Sequence, residues 1–171
     1  PGPCRFGQYN VFTKRVINQH EYKDIAVFSP NSKNCYGGLG SKYSIAAWRS
    51  LVIGDLFDEM WATILTAANN KEEALTVLKQ NHEAIRNSID QDWRILAKQL
   101  RKSAKELSGI TLSKPYEEIP KISLVGEIYV RHDPISLQQL IERMADRGFI
   151  VRTAQNSEWL KYLDWLIKNK I

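Results

Sequence analysis

The sequence predicts an α/β protein made of pieces of open parallel sheet with a helical block between them. Three observations lead there. Toward the C-terminus, "KISLVGEIYV", "SLQQLIERMADRG", "FIVRTA" and "SEWLKYLDWLIKNK" read as strand, helix, strand and helix, the order of a βαβ unit closed by a further helix. Toward the N-terminus, "DIAVFSP" reads as a short strand between two helices. Residues 71–107 carry helical periodicity throughout. The expected division is 1–67 for a first α/β piece with a cysteine motif and a glycine loop, 68–113 for the helical block, and 114–171 for the second, βαβα piece.

Element by element, Phe6, Tyr9, Phe12, Thr13, Val16 and Ile17 fall at helical spacing and predict a helix over 5–19. The "DIAVFSP" strand is closed by Pro30 and the turn-rich "NSKN". "YGGLGSKYS" is a glycine loop that delivers the chain into an apolar helix over 45–67. In the next block Leu78, Ile85, Ile89, Trp93, Leu96, Leu100 and Leu107 form one stripe. They predict one long helix, or two broken near "NSIDQD" with Ser88 or Asp90 capping the second. Lys98, Arg101, Lys102 and Lys105 crowd the end of that block, where the helix dipole favours cations, and Gly109 suits its C-terminal cap. The stripe predicts core against the preceding helix, with a partner-binding coiled coil as the lesser alternative. "TLSKPYEEIP" reads as a hinge-like linker, and the helix after it takes a Ser136/Gln139 capping box and ends at Gly148.

Bulk properties narrow the function classes. With 43% apolar and 25% charged residues in 171, the chain has the composition of a soluble globular domain. Its most apolar run, "IAAWRSLVIGDLFDEMWATIL", is broken by Arg49, Asp55, Asp58 and Glu59, so no membrane span is expected. There is no signal peptide pattern, and the absence of an initiator methionine with a helix entry so early predicts a piece of a longer chain. A net charge of +5 admits an acidic partner, yet the basic residues are mixed with acidic ones, which predicts a solvated surface and no nucleic-acid face. Two cysteines, Cys4 and Cys35, make no disulfide framework and predict reduced thiols in the cytoplasm.

In open α/β sheets ligands sit beyond the carboxyl ends of the strands. "GEIYVRHDP" falls there and brings Gly126, Glu127, Tyr129, Arg131, His132 and Asp133 together. Either they line a site, or they are structural, with Tyr129 and Val130 continuing the strand, Asp133 capping the helix and Arg131 pairing with Glu127. "YGGLGSKYS" lacks the spacing of a P-loop or a dinucleotide fingerprint, so a ligand-free connection is the expectation. His20, His82 and His132 have no metal-ligand spacing, and His82 reads as structural. Cys4 is different. A thiol at a helix start beside Arg5 has its thiolate favoured by dipole and charge, as a nucleophile, redox thiol or metal ligand needs; an inert cysteine stays open beside these.

"GPCRFGQY", followed about 120 residues later by "GEIYVRHDP", resembles a family of anaerobic proteins related to the 2-hydroxyacyl-CoA dehydratases and benzoyl-CoA reductases. The family is known as CoA-substrate-specific enzyme activases or acyl-CoA dehydratase activase-related proteins. The likeness spans essentially the whole chain and rests on those two blocks. It implies Rossmann-like subdomains whose edges hold a 4Fe–4S iron–sulfur cluster on cysteines from separate segments, fed single electrons by an ATP-driven activator. Carried over, Cys4 is one thiolate metal ligand. Arg5, Gly7, Gln8 and Tyr9 surround the cofactor as its helix lead-in, and Gly126, Glu127, Tyr129 and Arg131 line the neighbouring strand end. The implied parent is an ATP-dependent CoA-ester dehydratase- or reductase-related enzyme. The implied partners are the rest of that chain, including an ATPase region, and a CoA-thioester substrate or partner redox protein, with no nucleic acid or membrane.

The chain departs from the family in two respects. A cubane cluster wants about three or four cysteines, Cys35 falls on no family motif, and nothing resembles an ATPase phosphate loop. By itself this stretch is expected neither to hydrolyse ATP nor to dehydrate a substrate. Two other functions stay open: a non-redox α/β module that holds a CoA or nucleotide phosphate at the glycine loop and a basic edge, and a structural interface domain with Trp48, Trp61 and Trp93 in its core.

Overall fold

Apolar residues repeated on helical faces dominate the sequence, and helices dominate the computed structural model. It describes residues 5–20, 22, 24–27, 29 and 40–169, with backbone alone at Arg5, Phe6, Trp159, Leu160, Leu163 and Ile167. The chain divides into two compact units, Pro1–Ser44 and Ile45–Ile171.

In the first unit a 3-10 turn over Arg5–Gln8 leads into α1 (Tyr9–Gln19), as the spacing of its apolar residues predicts. The strand expected in "DIAVFSP" does not form: residues 25–27 and 29 are irregular. A strand exists through ladder bonds to a partner, and the described residues of this unit contain no second strand to pair with. Of the glycine loop, only residues from Gly40 onward are described. Gly40 takes φ +86° and its carbonyl accepts the Ser44 amide at 3.2 Å, so its freedom of backbone opens α2 (Ser41–Ala67).

Within the second unit α2 is the central element, because it is apolar on two faces. Phe57 and Ile64 enter one core with Leu78, Ile85 and Leu96, while Ala62 and Ala67 enter another with Ile119 and Ile150. The 71–107 block is two helices, α3 (Lys71–Arg86) and α4 (Trp93–Leu107). Asn70 caps α3, accepting from the Glu73 amide at 3.2 Å and donating back to its carboxylate at 3.0 Å. Neither Ser88 nor Asp90 caps α4. Asp92 does, accepting from the Arg94 amide at 2.8 Å, while the buried Ser88 hydroxyl donates to the Ile85 carbonyl and closes α3. Arg49 holds this break, donating to the carbonyls of Ile89 and Gln91 at 3.1 Å each and lying 5.7 Å over the Trp93 ring. Trp93 is therefore 59% exposed and not core. At the end of α4 the cap is Ser108, and Gly109 does not take the left-handed turn expected of it.

"TLSKPYEEIP" is packed rather than hinge-like. The Asn69 amide donates to Thr111 and the Ser113 amide to Ala67, and Ile119 is 1% exposed. Then come β1 (Lys121–Leu124), α5 (Pro134–Leu137), α6 (Leu140–Ala145), β2 (Ile150–Thr153) and α7 (Glu158–Lys168). β1 and β2 pair in parallel, Lys121 opposite Ile150 and Leu124 opposite Thr153, the βαβ arrangement the sequence predicts. The single crossover helix breaks in two because Gln138 and Gln139 adopt φ of 48° and 58°, left-handed values that cost a non-glycine residue free energy. Its cap is not Ser136/Gln139. Asp133 caps α5, accepting from the Ser136 amide at 2.8 Å and hydroxyl at 2.6 Å. A small parallel sheet among helices is compatible with the α/β class. Among the described residues no helix is long and apolar enough to cross a membrane.

Candidate functional site

The segment "GEIYVRHDP" starts where β1 ends. Gly126 takes φ +130°, which an L side chain rarely adopts, and turns the chain away from the sheet. Tyr129 and Val130 therefore do not continue the strand; both lie in the turn, 53% and 47% exposed. Nor does Arg131 pair with Glu127. Its Nη1 donates to the Gly126 carbonyl at 2.8 Å and its Nη2 to Asn156 Oδ1 at 3.4 Å. Glu127 Oε2 accepts from the Val130 amide at 2.9 Å. The loop thus holds itself in shape, yet Glu127 Oε1 and Arg131 Nε stay buried without a partner.

Beside this loop the carboxyl edge of the sheet opens a polar cleft of about 270 Å³. Ser123 and Val125 line it from the β1 side, Arg152 and Thr153 from β2, and Glu158 from the start of α7. The opposite wall is α2, which contributes Asp55, Asp58 and Glu59. These acids sit at i, i+3 and i+4, one face of a helix. His132 closes one side. Its Nδ1 is 3.7 Å from Asp58 Oδ2, and its Nε2 is 3.0 Å from Asn156 Nδ2. With the amide donating to Nε2, the ring proton belongs on Nδ1, facing the carboxylate. Both ring nitrogens are engaged, so His132 anchors the loop to α2 and to Asn156, just ahead of α7.

Each acid has a distinct task. Asp55 is buried and accepts the Asn156 and Ser157 amides at 3.0 and 2.7 Å, satisfying free N–H groups at the entry to α7. Glu59 Oε1 is 3.1 Å from Arg152 Nε and also accepts from the Tyr116 hydroxyl. Asp58 is the least committed. Partial loss of solvent raises its carboxyl above the usual range, with Asp55 adding to this and His132 opposing it. Asp133, outside the cleft, is held below the usual range by the Ser136 hydroxyl and amide. Four carboxylates face one guanidinium and one imidazole across the cleft. Its walls therefore attract cationic or hydrogen-donating groups and repel a phosphate.

Tyr116 gives a measurable handle on this wall. Its phenol is pushed up to about 12, first by burial and then by the hydrogen bond to Glu59 and the charge of that carboxylate. A folded pKa above the unfolded value means the contribution is whole below about 10 and is lost as pH rises toward about 12. Ultraviolet difference titration should show Tyr116 as a late phenol that moves only part of the way back toward the ordinary range in Glu59→Gln, since burial, the larger cause, remains. Tyr116→Phe should cost about 1 kcal/mol near neutral pH by urea denaturation.

The other half of the expected site belongs to the first unit. Cys4 and Cys35 are outside the described residues. Arg5, Gly7 and Gln8 form the 3-10 turn, and Tyr9 begins α1, 36% exposed. Among the described residues no group of three or more His, Cys, Asp or Glu side chains is placed to hold a metal ion. They supply no ligand set for a cluster. His82 packs edge-on against Phe57, ring centres 5.0 Å apart, as its structural reading predicts. Sequence reasoning reached His132 but missed Asp55, Asp58, Glu59, Tyr116 and Arg152. The three acids were visible only as interruptions of an apolar run; their shared helix face was the signal. No protein-family model matches the chain, and no curated protein or solved structure is significantly similar to it.

Proposed function

We propose that the chain is part of a dehydratase/activase-related redox protein, and that the cleft beyond β1 and β2 is its ligand-facing edge. The observation that carries this reading is the fold of "GEIYVRHDP". One of the two blocks that resemble the family leaves the carboxyl end of a parallel strand, where open α/β sheets meet their ligands. It also leaves Glu127 Oε1 and Arg131 Nε unpartnered, and buried polar atoms without partners call for a reason. In this reading the two strands belong to a wider Rossmann-like sheet completed by further chain. Cys4 gives one thiolate to an iron–sulfur cluster whose remaining ligands come from outside these residues, in a cytoplasmic protein. Such a cluster, when bound, supplies single electrons. This chain's own contribution is a thiolate beside the Arg5 charge and a polar edge that orients a hydrogen-donating group of a CoA-thioester substrate or of a redox partner.

The test is anaerobic reconstitution of the longer protein with iron and sulfide. Wild type should turn brown, Cys4→Ser should retain clearly less iron, and Cys35→Ser should lose less or none. Equal iron in all three would end the cluster reading and leave the cleft to be probed as a metal-free site.

A further inference from the structure

A second opening in the Ile45–Ile171 unit is unlike the polar cleft. It is a groove of about 650 Å³ between α2 and α4, with Ile53, Leu56, Met60 and Thr63 on one wall and Leu100 and Ala104 on the other. Its α2 wall runs from Ile53 to Ile64, which is about 16 Å or three helical turns. The apolar surface does not stop at the rim: Leu56 is 53% and the neighbouring Val52 42% exposed. A small molecule is held where most of its surface is enclosed. An open apolar trough of this length fits a helix laid into it, anchored by residues at i, i+3, i+4 and i+7.

The charge beside the groove selects which helix. Arg94, Lys98, Arg101 and Lys105 recur at i, i+4, i+7 and i+11 on α4 and form one exposed stripe. On the helix circumference that stripe lies next to Ala104 and Ser108, which line the groove. Among the described residues none of the four side chains forms an ion pair. The one acid of α4, Glu106, is taken by Lys102 at 3.7 Å. The helix dipole accounts for Lys105 in the last turn but opposes Arg94 in the first, so the stripe is not there to complete α4.

We infer that this groove docks an amphipathic helix whose apolar face fills the trough and whose acidic flank lies along the Arg94–Lys105 stripe. The inference does not depend on the redox reading.

Fluorescence anisotropy on the whole chain tests it, with a synthetic helical peptide of about 15 residues. The peptide carries leucine at i, i+3, i+4 and i+7 and glutamate along one flank; a twin carries lysine in place of glutamate. The acidic peptide should bind, weaken as salt is raised, and exceed the lysine twin by about tenfold or more. Ala104→Trp, which fills the trough from an exposed position, should abolish binding. Arg101→Glu with Lys105→Glu should reverse the preference toward the lysine twin, and circular dichroism confirms that each variant folds. Failure of the acidic peptide to bind, equal binding of both peptides, or no effect of the variants would overturn the proposal. Binding of dodecanoate without binding of peptide would likewise overturn it, assigning the trough to a small amphiphile.

Discussion

Asp55→Ala is expected to destabilise the protein by about 3 kcal/mol, because one carboxylate satisfies two amides that have no other acceptor. Asp55 is 6% exposed and sits in the middle of α2. Its Oδ1 accepts from Asn156 and its Oδ2 from Ser157, about a hundred residues later in the chain. Amides at a helix entry lack intrahelical partners, and the two just ahead of α7, at Asn156 and Ser157, are met by α2. Alanine removes both bonds and leaves the Ser157 amide in a place that is itself 6% exposed, where water cannot readily replace the carboxylate. Asp55→Asn keeps one acceptor and should cost about half as much. Against a total stability of about 5–15 kcal/mol, the alanine variant should show a plainly lower urea midpoint at unchanged slope. A loss below about 0.5 kcal/mol would mean that the carboxylate is not what holds α7 to α2, and that a buried acid at this edge is retained for the ligand instead.

That contact also marks what the sequence could and could not reveal. Local periodicity carries helices well, so α1, α2, α3, α4 and α7 were all legible, as was the parallel pairing of strands in "KISLVGEIYV" and "FIVRTA", although the first of them ends already at Leu124. Strands and caps depend on partners. "DIAVFSP" has a strand's composition but nothing described in its unit to pair with. Asp92 displaced Ser88 and Asp90 as the cap of α4 because Arg49, from α2, fixes where the turn ends. The crossover helix breaks at Gln138 and Gln139, which take left-handed φ although neither residue has helix-breaking character. The site divided in the same way. The loop from Gly126 to Asp133 could be read because it is contiguous, and its glycine and cap announce a turn. Its opposite wall could not, because Asp55, Asp58 and Glu59 are about seventy residues upstream and meet the loop only after α2 has packed.

Leu96→Ala should cost about 3 kcal/mol, within the range for leucine truncations in closed cores, whereas Leu100→Ala, one helical turn on, should cost about 1 kcal/mol. The two leucines share the apolar face of α4 and the same chemistry, so the difference isolates enclosure. Leu96 is 0% exposed and packed among the core residues of α2 and α3. Removing its branches leaves a void that rigid helices on both sides cannot close and that water has no polar reason to enter. Leu100 is half-buried and lines the open groove. Truncating it widens a space already continuous with solvent, so the loss is confined to its transfer free energy. Urea denaturation of the two variants decides the matter. If Leu100→Ala proves as costly as Leu96→Ala, the α4 wall is sealed core and no partner helix has room there. If the predicted gap appears, the fold holds a stretch of apolar surface that contributes little to its own stability, bordered by cations that form no ion pair among the described residues.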